Sequence, residues 1–464
     1  MKIKKDDIDK FLLIFLLVHL VIWTLIPTFS NNNLPLDTIE ALNWGNELQW
    51  GYDKYPPLFP LFTEFFYLIF GNQDWAYYLL SQLFVISAFF IIFKFSELFF
   101  QNQVYSLISV LLLEGIYFYN FTTPELNAFL CQFPFLAATA FYGWKSINQN
   151  KNIQWFLFGV FAGLAALSYY LSFYLLSALG LFFIYTIIQE KRFNPKYVIS
   201  IASFLLVLLP HLIWVVENNF TSIHYALFRS FGDPLTGLGG HKFFDHLFYP
   251  LIFLGKQIVL LVPFFVMFFV LIKEFKIKIN YEDKKLLFLI TITLLPIILM
   301  FFTSLVTGAR IRTMWMTSFY LFTGVFFIYV FQKNINLKKI KNFFLTFLFL
   351  FIFSPILYYV VSHTKENKRT DYPGRKISKI VQTQWNNNFS NKIEVVAGNG
   401  WINGGWYAGN LSYQLESRPI VKMKLENKKD IGTIWIKGFN EINDCEGIKF
   451  QIEPFNDICM FGKK

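Results

Sequence analysis

The sequence predicts an all-α polytopic membrane protein that ends in a small α/β domain. Of its 464 residues, 55% are hydrophobic and 21% are aromatic, whereas only 15% are charged. A soluble globular domain carries about 25% charged residues. Nearly uncharged runs of about eighteen or more residues, each long enough to cross a bilayer, recur as far as residue 361. Beyond that point the composition becomes polar, which indicates a separate domain.

The membrane part is expected to contain about eleven to thirteen spanning helices. The predicted spans cover residues 11–29, 76–100, 104–120, 126–145, 154–170, 172–188, 197–215, 250–272, 286–305, 311–331 and 341–361. Residues 57–70 are apolar but too few to cross, so we predict a helix against the outer face. The domains are therefore 1–361, with an outward first loop at 30–57, and 362–464.

The distribution of cations predicts the topology. The net charge is +11, and most Lys and Arg residues fall in the loops on the side of the N-terminus. The opposite loops hold few: Lys54, Arg229, Lys242, Arg310 and Arg312. Positively charged loops stay in the cytoplasm. This pattern places the N-terminus inside and the C-terminal domain outside, and it does not indicate nucleic-acid binding.

The first outer loop is the most polar stretch of the membrane part. Asp37 and Glu40 have the spacing of a capping box, with Asp37 accepting at the N-cap and Glu40 reaching back. Asp53 and Lys54 stand just before a Pro56-Pro57 turn. The residues alone leave Asp37 as either an ordinary helix cap or a functional carboxylate.

The order of these motifs resembles a known enzyme family. An acidic residue after the first span, then Trp44-Gly45, then Asp53-Lys54-Tyr55-Pro56-Pro57 is similar to polytopic glycosyltransferases that use lipid-phosphate sugars. These are the bacterial relatives of protein O-mannosyltransferases and the aminoarabinose transferase of lipid A. The resemblance extends roughly over residues 12–331. It implies the GT-C fold and inverting transfer from a polyprenyl phosphate, such as undecaprenyl phosphate.

The resemblance also implies roles for the first loop. Asp37 would be the catalytic base for the acceptor hydroxyl, because it stands where the family keeps its first-loop acid. Lys54 would contact the lipid phosphate, and Asp53 would hold a divalent ion or orient Lys54. The alternative for Asp53 and Lys54 is a surface ion pair beside a rigid turn, which contributes under about 1 kcal/mol.

The second outer loop contains Pro124 and Glu125, where the family has a Pro-acidic turn, usually with Asp. The resemblance implies that Glu125 faces Asp37 and binds acceptor or metal. Pro and an acidic residue also suit the first turn of a helix, so a helix start at Pro124 is the alternative.

Arginines in the later outer loops oppose the cytoplasmic bias. Arg229, Arg310 and Arg312 would meet a lipid phosphate or an acidic sugar at the membrane edge. Snorkelling to lipid headgroups is the alternative. By resemblance, His241 or His246 would join Asp53 on an optional divalent ion.

The C-terminal domain is expected to contain strands at Ile393–Ala397 and Gly432–Ile436, with a helix at Gly404–Glu416 between them. Its two cysteines, Cys445 and Cys459, form either a disulfide or two free thiols. The residues of this domain show no catalytic pattern.

The expected function is transfer of a sugar from a polyprenyl-phosphate donor to an envelope acceptor such as lipid A or core lipopolysaccharide. The main alternative is a transporter or flippase of lipid-linked sugars. Transporters tend to show paired repeats and mid-membrane charges, and we find no such repeats. A lipid phosphatase or ligase would require a His and Arg cluster with a nucleophile, which the outer loops do not present.

Overall fold

A computed structural model describes residues 5–231, 243–276, 280–423, 430–437, 445, 447–453 and 455–464. The chain is a helical membrane bundle followed by a sheet-containing domain, as predicted. The helices of the bundle are α1 (Lys5–Ser30), α2 (Leu36–Gly45), α3 (Leu58–Phe70), α4 (Asp74–Ser96), α5 (Gln103–Leu111), α6 (Ala128–Gln149), α7 (Asn152–Ser168), α8 (Ser172–Glu190), α9 (Tyr197–Glu217), α10 (Thr221–Phe231), α11 (Asp245–Leu260), α12 (Val262–Leu271), α13 (Lys284–Thr293), α14 (Leu295–Thr307), α15 (Thr323–Phe331) and α16 (Ile340–Thr364).

Within the described residues, six helical segments are long and apolar enough to cross a membrane, or up to eight if each of two bent pairs is one span. The bent pairs are α11 with α12, at 50°, and α13 with α14, at 41°. Pro263 and Pro296 stand in the first turn after each break. The predicted spans 250–272 and 286–305 therefore each contain a bend, because proline removes a backbone donor and ends the preceding helix.

The close packing of α7 against α9 depends on two glycines. A Cβ atom on Gly159 would lie 2.2 Å from the Ser200 carbonyl oxygen, and one on Gly163 would lie 2.8 Å from Val207. These contacts bring α7 against α9, as a small-xxx-small face does between membrane helices. The main core is rich in Phe and joins α1, α4, α5, α6, α12, α13, α15 and α16.

The C-terminal domain contains α17 (Gly374–Asn388), α18 (Ala408–Gln414), and strands β1 (Val395–Gly398), β2 (Ile420–Lys422), β3 (Thr433–Lys437), β4 (Ile448–Ile452) and β5 (Phe455–Phe461). The strand order is β2-β1-β3-β5-β4. Strand β1 is parallel to β2 and β3, whereas β5 is antiparallel to β3 and β4. Of the two alternatives for the cysteines, the structure has the disulfide between Cys445 and Cys459.

This domain docks onto α2, α3 and α4 of the bundle. Arg418 donates to the Glu64 carboxylate of α3 through both terminal nitrogens, with one distance of 2.7 Å, and to the Leu42 carbonyl at 3.1 Å. Asn33 donates to Asn410 at 2.7 Å. Trp406 and Tyr413 complete a second core with α2, α3 and α4. The helix that carries Asp37 is therefore held from both sides.

We predict that Arg418→Met lowers the free energy of unfolding of the purified protein by about 3–5 kcal/mol, and lowers its melting temperature accordingly. This is the usual cost of leaving one partner of a buried ion pair unpaired. Both side chains are nearly buried, at 11% and 9% exposed. Differential scanning fluorimetry in detergent would measure the change. The control is Arg375→Met, whose guanidinium is 61% exposed and 3.9 Å from Asp74. Equal, small effects of both variants would contradict the docking role.

Candidate functional site

Asp37 lies in the first turn of α2 and does not cap the helix. Pro35 occupies the N-cap with an extended backbone, and no side chain caps this end. The predicted capping box was therefore wrong. The Asp37 side chain is 33% exposed, so its carboxylate faces the outer opening. Thr38, one residue on, donates to the Leu126 carbonyl at 3.1 Å and fixes the helix against the second outer loop.

Lys54 is held beside Asp37 by a second carboxylate. The Lys54 ammonium lies 2.6 Å from Glu40 Oε2 and 4.0 Å from Asp37 Oδ1. Burial alone would lower the pKa of Lys54, but the carboxylates of Glu40 and Asp37 outweigh it and raise the pKa above its ordinary value. The ammonium therefore stays charged, and an ammonium has three donors, so it can also bind an anion.

Glu40 was missed as a site residue because it was assigned to the cap. Its side chain is 3% exposed and serves Lys54 instead. The signal was present in the sequence: Glu40 follows Asp37 by three residues, a spacing that places two side chains on one helix face.

Asp53 is exposed and is not the residue that orients Lys54. His241 lies outside the described residues, and His246 donates from Nδ1 to the Leu305 carbonyl at 3.0 Å. Over the described ranges, no three His, Cys, Asp or Glu side chains come together in a way that could hold a metal ion. The divalent ion therefore stays an untested prediction, and the chemistry below does not depend on one.

The outer arginines do meet. Arg229 is on α10, whereas Arg310 and Arg312 follow the end of α14 at Gly308, which has φ of +70°. Burial lowers the pKa of Arg312, and repulsion from Arg229 and Arg310 lowers it further. Arg312 thus lies within electrostatic reach of both Arg229 and Arg310, and guanidinium groups of this kind can bind an anion.

Aromatic rings connect the arginine cluster to the acidic side. Tyr169 interacts electrostatically with Asp37 as well as with Arg229 and Arg312. Its ring centre lies 5.6 Å from that of Tyr55, which follows Lys54. Tyr225 of α10, four residues before Arg229, places its ring centre 6.0 Å from the Lys54 ammonium. Sequence reasoning missed Tyr225, although this spacing puts it on the Arg229 face of α10.

Glu125 lies in the loop before α6. The helix begins at Ala128 and is capped by Asn127, which accepts from the Phe129 and Leu130 amides, so a helix start at Pro124 is wrong. Glu125 is accessible to solvent, although many protein atoms surround its carboxylate, and we call the region around Asp37 and Glu125 the mouth of the site. This desolvation raises the pKa of Glu125, and the Asp37 carboxylate raises it further.

Two cations in the segment between α16 and the C-terminal domain, Lys365 and Arg369, lower the pKa of Glu125. Desolvation and the Asp37 carboxylate raise that pKa by more than the two cations lower it. These cations lie beyond the last span, and sequence reasoning did not connect them with the second outer loop. The mouth is thus acidic at Asp37 and Glu125, with cations on either side.

Comparison with known proteins supports this architecture. Residues 54–214 match the family model of dolichyl-phosphate-mannose-protein mannosyltransferases, which is about a third of the chain. No curated protein sequence matches. The structure of ArnT from Cupriavidus metallidurans bound to undecaprenyl phosphate aligns with a TM-score of 0.62 at 12% identity, covering 88% of this chain and 85% of that one.

Two further structures align less well. ArnT from the same organism in the apo state has a TM-score of 0.45 at 12% identity, covering 88% of this chain and 84% of that one. The Archaeoglobus fulgidus oligosaccharyltransferase tethered to an acceptor peptide has a TM-score of 0.44 at 13% identity, covering 88% of this chain and 64% of that one. The chain has the GT-C fold of membrane glycosyltransferases. This fold is the one that the resemblance of the motifs implied, and the family model matches the part of the chain from Lys54 to Trp214.

We predict that Glu125→Gln raises the melting temperature at pH 7. A raised pKa means that folding favours the protonated acid, so stability is lost as the pH rises through the folded-state pKa. The glutamine removes that loss at neutral pH. The gain should vanish below the ordinary pKa of glutamate, where the wild-type residue is already protonated.

Melting temperatures of the purified protein from pH 4 to pH 8 would test this prediction. Glu47→Gln is the matched control, because Glu47 is an exposed glutamate of the first loop. A pH-independent difference between wild type and Glu125→Gln would be inconsistent with the raised pKa.

Proposed function

We propose that the protein is a membrane glycosyltransferase that moves a sugar from a polyprenyl phosphate, such as undecaprenyl phosphate, to an envelope acceptor. The observation that carries this proposal is the placement of Lys54, 2.6 Å from Glu40 and 4.0 Å from Asp37. A charged ammonium is thereby fixed beside an accessible carboxylate, and transfer from a lipid phosphate needs both groups.

Asp37 would act as the general base. It takes the proton from the acceptor hydroxyl while that oxygen forms a bond to the anomeric carbon of the sugar. The bond between the anomeric carbon and the phosphate oxygen breaks, and the polyprenyl phosphate leaves with the electron pair. Attack from the face opposite the leaving group inverts the anomeric configuration.

Lys54 would stabilise the departing phosphate. Its bond to Glu40 uses one ammonium hydrogen and leaves others to point at phosphate oxygens. Arg229, Arg310 and Arg312 add positive charge where the lipid headgroup would lie. Preorganised cations of this kind stabilise charge that develops on a leaving group.

Glu125 and the cations Lys365 and Arg369 would belong to the acceptor side of the same mouth. Glu125 interacts with Asp37 electrostatically, so a hydroxyl placed between them can be held by one carboxylate and deprotonated by the other. Lipid A or core lipopolysaccharide at the periplasmic face of the inner membrane is the acceptor that we propose, and acceptor and lipid donor are the only partners required.

The competing function is a transporter or flippase of lipid-linked sugars. It would also need a cationic, aromatic headgroup site, but it would not need a base beside the phosphate. Asp37 is the feature that favours transfer, since an accessible carboxylate 4.0 Å from the Lys54 ammonium can act as a base, and a lipid carrier does not need one.

Asp37→Asn should abolish detectable transfer, a loss of about 10²–10⁴-fold for a general base, without weakening donor binding. The assay uses purified protein in lipid, a radiolabelled polyprenyl-phosphate sugar and an envelope extract as acceptor. Glu47→Gln, in the same loop and exposed, is the control. Near-normal turnover by Asp37→Asn would refute the base. Donor that crosses the bilayer with no release of polyprenyl phosphate would favour the flippase.

Lys54→Met should weaken binding of undecaprenyl phosphate by about ten- to a hundredfold, since a hydrogen bond to a charged group contributes about 1.5–3 kcal/mol. Because this change removes the Lys54 counter-charge from the buried Glu40 carboxylate, Lys54→Met with Glu40→Gln serves as a second variant that preserves folding. Binding would be measured by microscale thermophoresis in nanodiscs. Lys376→Met, on the exposed face of α17, is the control. Wild-type affinity in the double variant would exclude a phosphate role for Lys54.

A further inference from the structure

A continuous chain of hydrogen bonds connects the loop that carries Lys54 to α10 by way of His211. His211 of α9 is buried, and its Nδ1 lies 2.6 Å from the Trp50 carbonyl oxygen. Its Nε2 lies 2.9 Å from the Tyr170 hydroxyl, which lies 2.6 Å from Ser222 Oγ. A carbonyl can only accept, so Nδ1 carries the proton. In the neutral imidazole, Nε2 then accepts from Tyr170, and the Tyr170 oxygen accepts from Ser222.

The chain joins three segments that each contribute to the site. Trp50 belongs to the loop that carries Lys54. Tyr170 adjoins Tyr169, which interacts with both Asp37 and the arginines. Ser222 belongs to α10, whose Tyr225 faces Lys54 and which also carries Arg229.

The end of the chain at Trp50 is tightly packed. A Cβ atom on Gly51 would lie 2.2 Å from the Trp214 ring, so the first loop is pressed against α9. The Trp214 ring stacks on His211 at 6.1 Å, and its indole nitrogen donates to Gln49 at 3.3 Å.

Helix α10 depends on this anchor more than the other segments do. Its apolar residues Ile223, Leu227 and Phe228 are exposed, so they do not pack against the bundle, whereas Ser222 is fully buried. A helix whose apolar face is not packed inward gains little from core burial. The hydroxyl of Ser222 is therefore a main fixed point of the segment that presents Tyr225 and Arg229.

We propose that His211 is a positioning residue that links the Lys54 loop to α10, so that Lys54 and Arg229 approach the donor phosphate as one preformed unit. This inference rests on the proposed function, because it assigns the phosphate to those two cations. His211 itself does not reach the phosphate. It acts through two partners, a backbone carbonyl on one side and the tyrosine hydroxyl on the other, so its two contributions can be separated.

The separation uses two conservative variants. His211→Asn places an amide nitrogen where Nδ1 was, keeps the bond to the Trp50 carbonyl and loses Tyr170. His211→Gln reaches the position of Nε2, keeps the bond to Tyr170 and loses the Trp50 carbonyl. Tyr170→Phe deletes the hydroxyl alone and should resemble the Asn variant. If either His211 variant fails to fold, Tyr170→Phe and Ser222→Ala still test the α10 side.

Amide hydrogen exchange of the whole purified protein in nanodiscs is the first measurement. We expect faster exchange in α10 for His211→Asn and Tyr170→Phe, and faster exchange in residues 46–54 for His211→Gln, with α2 unchanged in all three. A general loss of stability would speed exchange throughout the protein and not in a different segment for each variant. His363→Gln, at an exposed histidine near the end of α16, is the control. Unchanged exchange in both segments, or loosening of both by each variant, would overturn the inference.

Binding of undecaprenyl phosphate to the same samples is the second measurement. We expect each variant to bind about three- to tenfold more weakly than wild type, as for loss of one neutral hydrogen bond. Wild-type affinity together with a loosened α10 would overturn the positioning role. A wild-type protein that binds no undecaprenyl phosphate would instead overturn the proposed function, whatever the exchange pattern of the variants.

Discussion

The structure of the site depends on the way in which α2 is clamped between the membrane bundle and the C-terminal domain. Glu64 of α3 is nearly buried and would be costly without a counter-charge. Arg418 supplies that charge, stacks over the Tyr67 ring at 3.4 Å and also binds the backbone of α2 at Leu42. Because one guanidinium contacts three partners, it connects the domain to both α3 and α2. The carboxylates of α2 are therefore placed by tertiary packing and not by the cap of a short helix.

The two sides of the site are held by different means. Asp37 and Glu40 are fixed through α2 and the docked domain, whereas the Lys54 loop and α10 are fixed through the polar chain of His211. Glu40 connects the two supports, since its carboxylate belongs to one side and its partner Lys54 to the other. A buried, hydrogen-bonded ion pair is directional, so it transmits the position of α2 to the ammonium. This arrangement suits a reaction in which base and leaving-group stabiliser must keep a fixed separation.

Much of the membrane fold could be predicted from sequence, because a bilayer requires long apolar helices and leaves few alternatives. The candidate residues of the outer loops could be found in the same way, since polar groups are rare there and cluster at one face. What failed was local inference. Asp37 and Glu40 match a capping box, yet the buried charge of Lys54 competes more strongly for Glu40 than a backbone amide does. Arg418 and Glu64 are separated by 354 residues, and no local pattern relates them.

The charge distribution also discriminates between the two explanations of the outer arginines. Snorkelling side chains extend separately to headgroups and avoid one another. Here Arg312 is partly buried and lies within repulsive reach of Arg229 and Arg310, an arrangement that costs free energy in the absence of an anion. Binding of a phosphate would reduce that repulsion, which is consistent with the phosphate-binding role that we propose for these arginines. Three segments far apart in the chain contribute this charge, and Tyr169 connects it to Asp37, so the preference is directed at the same point as the candidate base.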